Sequence, residues 1–204
     1  DGVSPGILST IPPKRIELFS EDFEAGLGKW RTQFAKEPWS TGTSPLFESR
    51  VAMDSVGSYA SGESSSIVTV DPIQVGNAKG LSLEFKIYFD LEPNADYWYM
   101  DLSEDGVNFS TAYLATGFSL GTIEFQDWKA KEDFQSLYLR FRLVADGDVN
   151  RDGVYMDDLR LTGIPWVFVG DEYGYKSGTS MAAPVVSGIA GLVWSAAPAL
   201  GHME

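Results

Sequence analysis

The chain has 204 residues, of which 44% are hydrophobic and 13% aromatic, so it has room for one or two globular domains with a sizeable core. Its formal net charge of −14 argues against nucleic acid and anionic membranes as partners, because both bind basic patches. It has no cysteine, which excludes disulfides and thiolate metal sites, and no run approaches the ~20 apolar residues of a membrane-spanning helix.

From Lys14 to Gly163 the sequence predicts strands separated by turns. Apolar residues occupy alternate positions in Leu81–Phe89 and again in Leu137–Leu143. A period of two places one face of a strand on a core and the other in water, which is typical of antiparallel sheets. About eight such strands predict a two-sheet antiparallel β-sandwich. The further predicted strands are Arg15–Phe19, Phe47–Met53, Ser66–Val70, Tyr97–Leu102, Ser110–Ala115 and Val154–Leu161.

Several large aromatic residues fall in this region. They can line a carbohydrate or peptide groove, but such side chains more often fill an interior, and we expect most of them in the sandwich core and its hairpins. The residues concerned are Trp30, Trp39, Tyr97, Trp98, Tyr99 and Trp128.

Oxygen-bearing side chains are densest just before Gly153. Asp148, Asn150 and Asp152 are spaced two residues apart, as in the first half of an EF-type calcium loop. Loop position 12, where an acidic ligand is expected, is Leu159, so the segment is not an EF-hand. Two interpretations stay open: a calcium-binding loop, or an ordinary turn that Asp, Asn and Gly favour for backbone reasons.

The last predicted element is a helix that begins near Ser180 and ends near Pro198. Gly178 permits a tight turn before it, and the backbone N–H of Ser180 is then unpaired at the helix N-terminus. The residues that follow are apolar on nearly every face, which is typical of a helix buried inside a large protein. A serine in this position is either an ordinary helix cap or a nucleophile whose N–H can stabilise an oxyanion.

The run Ser177–Gly188, Ser-Gly-Thr-Ser-Met-Ala-Ala-Pro-Val-Val-Ser-Gly, resembles the nucleophile segment of the subtilisin-like serine proteases, the subtilases. The resemblance implies that Ser180 is the catalytic nucleophile. Val185 departs from the family pattern, in which a histidine that is not the catalytic base usually follows the proline. The segment Val3–Thr10 resembles the strand region that normally lies shortly before the nucleophile, so the resemblance implies a domain inserted between the two.

Three short segments of the middle region resemble the MAM-like jelly rolls that accompany many secreted peptidases. They are Phe19–Glu24 with Gly28 and Trp30, then Leu102–Phe109, and then Gly153–Leu159. In such jelly rolls, early and late acidic residues lie beside one another. The resemblance therefore implies that Asp22 or Glu24 joins Asp157 or Asp158 around a structural calcium ion.

Together these features predict a mainly β fold, in which an antiparallel jelly-roll β-sandwich is inserted into the C-terminal part of a subtilisin-like α/β domain. The predicted boundaries are residues 1–13 for the strand segment before the insertion, 14–163 for the sandwich and 164–204 for the nucleophile helix. By resemblance we expect the C-terminal portion of a secreted serine endopeptidase, whose substrate is a protein or peptide and whose sandwich recruits or screens that substrate.

A serine protease also needs a base and an acid. The resemblance places the catalytic Asp and His before residue 1, and the single histidine, His202, would lie on the order of 25 Å from Ser180 along a helix. We therefore expect this chain alone to be inactive. Its apolar C-terminal helix should either self-associate or be held loosely against the sandwich. The alternative is a non-catalytic sandwich that binds carbohydrate or protein and is flanked by protease remnants.

Overall fold

The computed structural model describes residues 7–10, 14–44, 46–76, 78–128, 135–164 and 173–176, and four helical residues between 187 and 195. The chain divides into two compact units, one formed by residues 14–166 and the other by residues 1–13 together with 167–204. Among the described residues, no helix is long and apolar enough to span a membrane. The predicted nucleophile Ser180 lies outside the described residues.

The described part of the chain is built almost entirely of β-strands. Their bounds are β1 Ile7–Thr10, β2 Ile16–Glu21, β3 Trp30–Phe34, β4 Ser40–Thr43, β5 Arg50–Met53, β6 Ser64–Thr69, β7 Ile73–Gln74, β8 Lys79–Asp90, β9 Tyr97–Ser103, β10 Ser110–Ala115, β11 Phe118–Trp128, β12 Ser136–Val144, β13 Gly153–Ile164 and β14 Tyr173–Lys176.

Strands β2 to β13 form two antiparallel sheets. In the first sheet the order is β10-β9-β12-β6-β3, and β7 also pairs with β12. In the second sheet the order is β11-β8-β13-β5-β4, and β2 pairs with β13. The mainly β, antiparallel sandwich predicted from the sequence is therefore confirmed.

The core lies between the sheets, where the apolar faces of β8 and β12 meet. The alternate residues from Leu81 to Phe89 are at most 4% exposed, as are those from Leu137 to Leu143. Three rings form the centre: Phe85 lies 6.0 Å from Trp98 and 5.4 Å from Phe141, and Trp98 stacks 5.9 Å from Phe141. Burying each such side chain stabilises the fold by about 1.5–3 kcal/mol.

The strand bounds differ from the prediction mainly at the margins of the sheets. Ser110–Ala115 is a strand with the predicted bounds, whereas β5 begins at Arg50 instead of Phe47. Strands β3, β4, β7, β11 and β14 are not among the predicted strands. Strand β7 has two residues, and β3 and β4 carry few apolar residues. The apolar positions of β11 change phase near Gly121, so none of these strands shows a sustained alternation.

The other unit contains a two-stranded ladder. Strands β1 and β14 pair antiparallel, with Ile7 opposite Lys176 and Thr10 opposite Tyr173. Further along the chain Ser187, Ile189, Leu192 and Ser195 are helical, as the sequence predicts for this segment. Thr10 and Tyr173 thus mark the end of the ladder at which the long connection through the sandwich leaves and returns.

One carboxyl group is enclosed beyond the end of β5. Asp54 is 1% exposed, and its Oδ1 accepts a hydrogen bond of 2.5 Å from the N–H of Val154, whereas its Oδ2 has no partner among the described residues. The adjacent Gly153 has a φ of +92°, and a Cβ there would lie 2.2 Å from Asp54 Oδ1, so this position requires glycine. Burial raises the pKa of Asp54 to about 7, although the hydrogen bond from Val154 opposes the rise.

We expect Asp54 to make the free energy of unfolding fall as the pH rises from about 4 to about 7. The folded state keeps the Asp54 proton up to about pH 7, whereas the unfolded state releases it near pH 4, so this group favours the folded state most at low pH. Asp54→Asn should therefore be more stable than the wild type by about 2–4 kcal/mol at pH 8 and by much less at pH 4.5. Urea unfolding at both pH values measures the difference, with the exposed Glu104→Gln variant as control, and a pH-independent difference would contradict the assignment.

Residues 14–166 should fold by themselves, because the described core of this unit is formed within it. A recombinant segment should unfold cooperatively and give a β-type circular dichroism spectrum. Phe141→Ala should cost about 3–5 kcal/mol, since it empties the core, whereas Val107→Ala, at an exposed position, should cost less than about 0.5 kcal/mol. A helical spectrum, or equal effects of the two substitutions, would show that the unit is not an independent sandwich.

Candidate functional site

Three loops meet at one end of the sandwich, namely those joining β5 to β6, β8 to β9 and β12 to β13. The N–H of Tyr59 donates a hydrogen bond of 3.1 Å to the carbonyl of Arg151. The N–H of Asp146 donates one of 2.8 Å to Oδ1 of Asp96. Residues that are far apart in the sequence are therefore held together at this end.

A cluster of three carboxylates lies in these loops. Glu92, Asp96 and Asp146 each offer one oxygen, and these oxygens all lie within 4.8 Å of one another. Asp96 is fully buried, and its Oδ2 accepts a hydrogen bond from the hydroxyl of Tyr59. Oε2 of Glu92 is buried and has no hydrogen-bond partner among the described residues. Carboxylate oxygens in this arrangement are suited to a hard cation such as Ca²⁺.

The oxygen-rich run predicted as a calcium loop lies beside this cluster. The side chains of Asp148 and Asn150 are exposed, and Oδ1 of Asp152 accepts a hydrogen bond of 3.0 Å from the hydroxyl of Tyr155. Within the described ranges, Asp148 and Asp152 do not join a group of three acidic side chains close enough to share an ion. Their role as ligands remains a prediction.

The late acidic pair lies at a β-bulge of β13. Asp157 is fully buried, with Oδ2 accepting a hydrogen bond from Ser49 and Oδ1 accepting one of 2.8 Å from the N–H of Asp158. Burial raises the pKa of Asp157, and these hydrogen bonds oppose the rise. Asp158 has a φ of +50° and forms an ion pair of 2.6 Å with Lys86.

The early acidic residues, Asp22 and Glu24, lie near the late pair, Asp157 and Asp158. Oδ1 of Asp22 accepts a hydrogen bond of 3.2 Å from the N–H of Glu24, and Oε1 of Glu24 accepts one of 2.9 Å from the N–H of Arg50. Asp22 and Asp158 line the same polar depression, which also includes Glu21. The structure therefore brings an early and a late acidic residue to one place, and calcium binding there remains a prediction.

The aromatic residues are distributed largely as expected. Trp30, Trp39 and Trp98 are buried in the core, whereas Tyr97 and Tyr99 are half-buried on the outer face of the first sheet. The side chain of Trp128, like Ser180, lies outside the described part. Sequence reasoning missed Glu92 and Asp96, because nothing in the local pattern links them to Asp146, 50 residues after Asp96.

Comparison with known proteins gives two kinds of match. Residues 127–204 match the model of the subtilase family. The chain is also 28% identical over 162 residues to bacillopeptidase F of Bacillus subtilis (strain 168), a match that covers 75% of this chain and 11% of that protein. The chain thus spans about a tenth of this relative.

Two solved structures show the fold of the sandwich. The carbohydrate-binding module TmCBM61, whose structure was determined in complex with β-1,4-galactotriose, is 14% identical, with a TM-score of 0.50. The match covers 69% of this chain and 92% of the module. The K3 cleaved adhesin domain of Lys-gingipain from Porphyromonas gingivalis is 15% identical, with a TM-score of 0.50. The match covers 73% of this chain and 99% of the adhesin domain. At these identities the likeness concerns the fold alone. The resemblance to subtilases is confirmed by the family match, and the chain is similar to the subtilase family over residues 127–204.

Proposed function

We propose that the chain is the C-terminal portion of a secreted subtilisin-like serine endopeptidase, in which Ser180 is the nucleophile and the sandwich recruits or screens protein substrates. The observation that carries this proposal is the run from Gly178 to Met181, which lies inside the part of the chain that matches the subtilase family. The bacillopeptidase F match supports it over most of the chain.

The chemistry expected of Ser180 is attack of its Oγ on a substrate carbonyl. A backbone N–H at the start of a helix can hold the resulting oxyanion, because it has no partner within the helix. The hydroxyl must first lose its proton to a base that an acid orients. His202 is the single histidine of these 204 residues, and we propose that the longer parent protein supplies the catalytic Asp and His from upstream.

We also propose that the sandwich is an insertion in the protease. Two ladders support this interpretation. Thr10 lies opposite Tyr173 where the connection leaves the β1–β14 ladder, and Ile16 lies opposite Gly163 where the chain enters and leaves the sandwich. A domain whose ends are adjacent can extend a turn without separating the strands on either side of it.

In the full-length parent, a fluorophosphonate probe should label Ser180, because such probes react with serines that an adjacent base activates. Ser180→Ala should abolish the labelling. Ser187→Ala, which alters another serine of the same segment, should leave it unchanged. Mass spectrometry of the labelled peptide identifies the residue.

Labelling that persists in Ser180→Ala would contradict the assignment of the nucleophile. Absence of labelling in a folded full-length protein would favour the non-catalytic binding module. The 204-residue chain should remain unlabelled, since it lacks a base for Ser180.

A structural calcium ion is the second part of the proposal. The close carboxylates of Glu92, Asp96 and Asp146 fit such an ion, since Oε2 of Glu92 is buried without a partner and oxygen ligands are what Ca²⁺ prefers. A bound ion would fix the three loops at this end of the sandwich. The acidic side chains around Asp152 and those around Asp22 are the alternative binding positions for the calcium ion.

Calcium at a concentration well above its Kd should raise the melting temperature of the 204-residue chain by about 3–6 °C, because it binds the folded state. Glu92→Gln should remove this increase, whereas Asp152→Asn and Asp22→Asn should keep it. The three substitutions each remove one negative charge, so they serve as controls for one another. If the calcium-induced rise in melting temperature were lost only in Asp152→Asn, or only in Asp22→Asn, the ion would bind at that residue instead of at Glu92. If calcium did not raise the melting temperature of the wild type, the chain would have no structural calcium site.

A further inference from the structure

A groove crosses the outer face of the second sheet, on the side away from the core. One wall is the segment 46–49 before β5, and the other is formed by residues 120–122 of β11. Lys86 of β8 and Asp158 of β13 also line it, and its volume is about 500 Å³. We call this feature the outer groove. Its size suits one or two side chains of a bound segment.

The walls of the outer groove are partly apolar. Leu120 is 54% exposed and Leu46 is 45% exposed, although both are large aliphatic side chains. Beside them a small hydrophobic cluster, separate from the main core, continues across the outer face. Its members are Val51, Met53, Tyr88 and Tyr155, with Phe47 packed against them. The groove therefore offers exposed apolar surface that lies beside a buried hydrophobic cluster.

Carboxylates outnumber cations around the groove. Lys86 is the cation that lines it, and its Nζ is already paired with Oδ2 of Asp158 at 2.6 Å. Glu48 lines the same groove and is exposed. The nearby carboxylates raise the pKa of Lys86, and the hydrogen bond that Lys86 donates to Asp158 contributes most to the rise. With the net charge of −14, this arrangement attracts a cation.

A basic side chain fits both properties of the groove. Lysine and arginine pack their methylene stems on apolar surface and keep the charged group near carboxylates or water. Sugar rings are usually held by planar aromatic side chains with an exposed face, whereas Tyr88 and Tyr155 are over 90% covered here. Of the apolar side chains that line the groove, the aliphatic Leu46 and Leu120 are exposed, whereas the aromatic Phe47 is half-buried and packs against the cluster of Tyr88 and Tyr155.

We propose that the outer groove binds a lysine- or arginine-bearing segment of a polypeptide, with the aliphatic stem between Leu46 and Leu120 and the cation beside Glu48 and Asp158. The inference rests on the proposed function, because it names the chemistry by which the sandwich recruits a protein substrate. Binding through the groove does not require hydrolysis and is measurable without it.

The test uses the 204-residue chain with Ser180→Ala as background and a fluorescein-labelled ten-residue peptide of alternating leucine and lysine. Fluorescence anisotropy gives its Kd. Glu48→Gln and Leu120→Ser should each raise the Kd about fivefold, the change expected for loss of one ion pair or one apolar contact. The matched controls are the same two kinds of substitution at exposed positions outside the groove, Glu104→Gln and Leu114→Ser. Each control should alter the Kd less than about twofold.

One substitution should strengthen binding. Lys86→Gln frees Oδ2 of Asp158 for the ligand, and we expect the Kd to fall about threefold, whereas Lys36→Gln makes the same charge change elsewhere and should have a smaller effect. A peptide of alternating leucine and glutamate should not bind. Melting curves of all variants confirm that they are folded.

Equal effects of the groove and control variants would overturn the proposal, because they would show attraction by net charge alone. Binding of β-1,4-galactotriose that Leu120→Ser abolishes, without peptide binding, would make the groove a glycan site and would also overturn it. Since anisotropy detects binding alone, a failure here leaves the labelling of Ser180 unaffected, and the two proposals can fail separately.

Discussion

The packing of Phe85, Trp98 and Phe141 between the two sheets is the interaction on which the rest of the sandwich depends. The three rings come from β8, β9 and β12, so they join the second sheet to the first. Sheets that are paired face to face in this way leave their loops at the two ends and their outer faces in water. The carboxylate cluster at one end and the outer groove on one face are both consequences of this arrangement.

The sequence was most informative where a strand faces the core along its whole length. In β8 and β12 a period of two makes the buried positions visible from residue type alone, and the core residues predicted there are buried. Strand β11 is not among the predicted strands, because its apolar positions change phase near Gly121. Phe118 and Leu120 before it are exposed, whereas Ile123 and Phe125 after it pack against the core. Alternation reveals a strand when one face stays on the core along the whole strand, as in β8 and β12.

The residues of the candidate site are harder to predict from local sequence pattern than the strands are. Asp146 comes two residues before the oxygen-rich run that begins at Asp148. Its partners Glu92 and Asp96 come from another loop, and the pairing of the strands brings them together. The enclosure of Asp54 also depends on its contact with Val154, 100 residues away. By contrast, the motif around Ser180 is contiguous in the chain and could be recognised without any structure. Contacts between distant residues are what single-sequence reasoning lacks.

The proposed function requires that the sandwich be an independent domain, inserted at the end of the β1–β14 ladder of a serine protease. Replacing residues 11–172 of the full-length protein by a turn of about four residues tests it most directly, because such a turn can join Thr10 to Tyr173 across an antiparallel pair. If the sandwich is such an insertion, hydrolysis of a short peptide substrate should persist within about tenfold of the wild-type kcat/KM, whereas cleavage of a protein substrate should fall further. Loss of all peptide hydrolysis in a protein that still folds would contradict the claim.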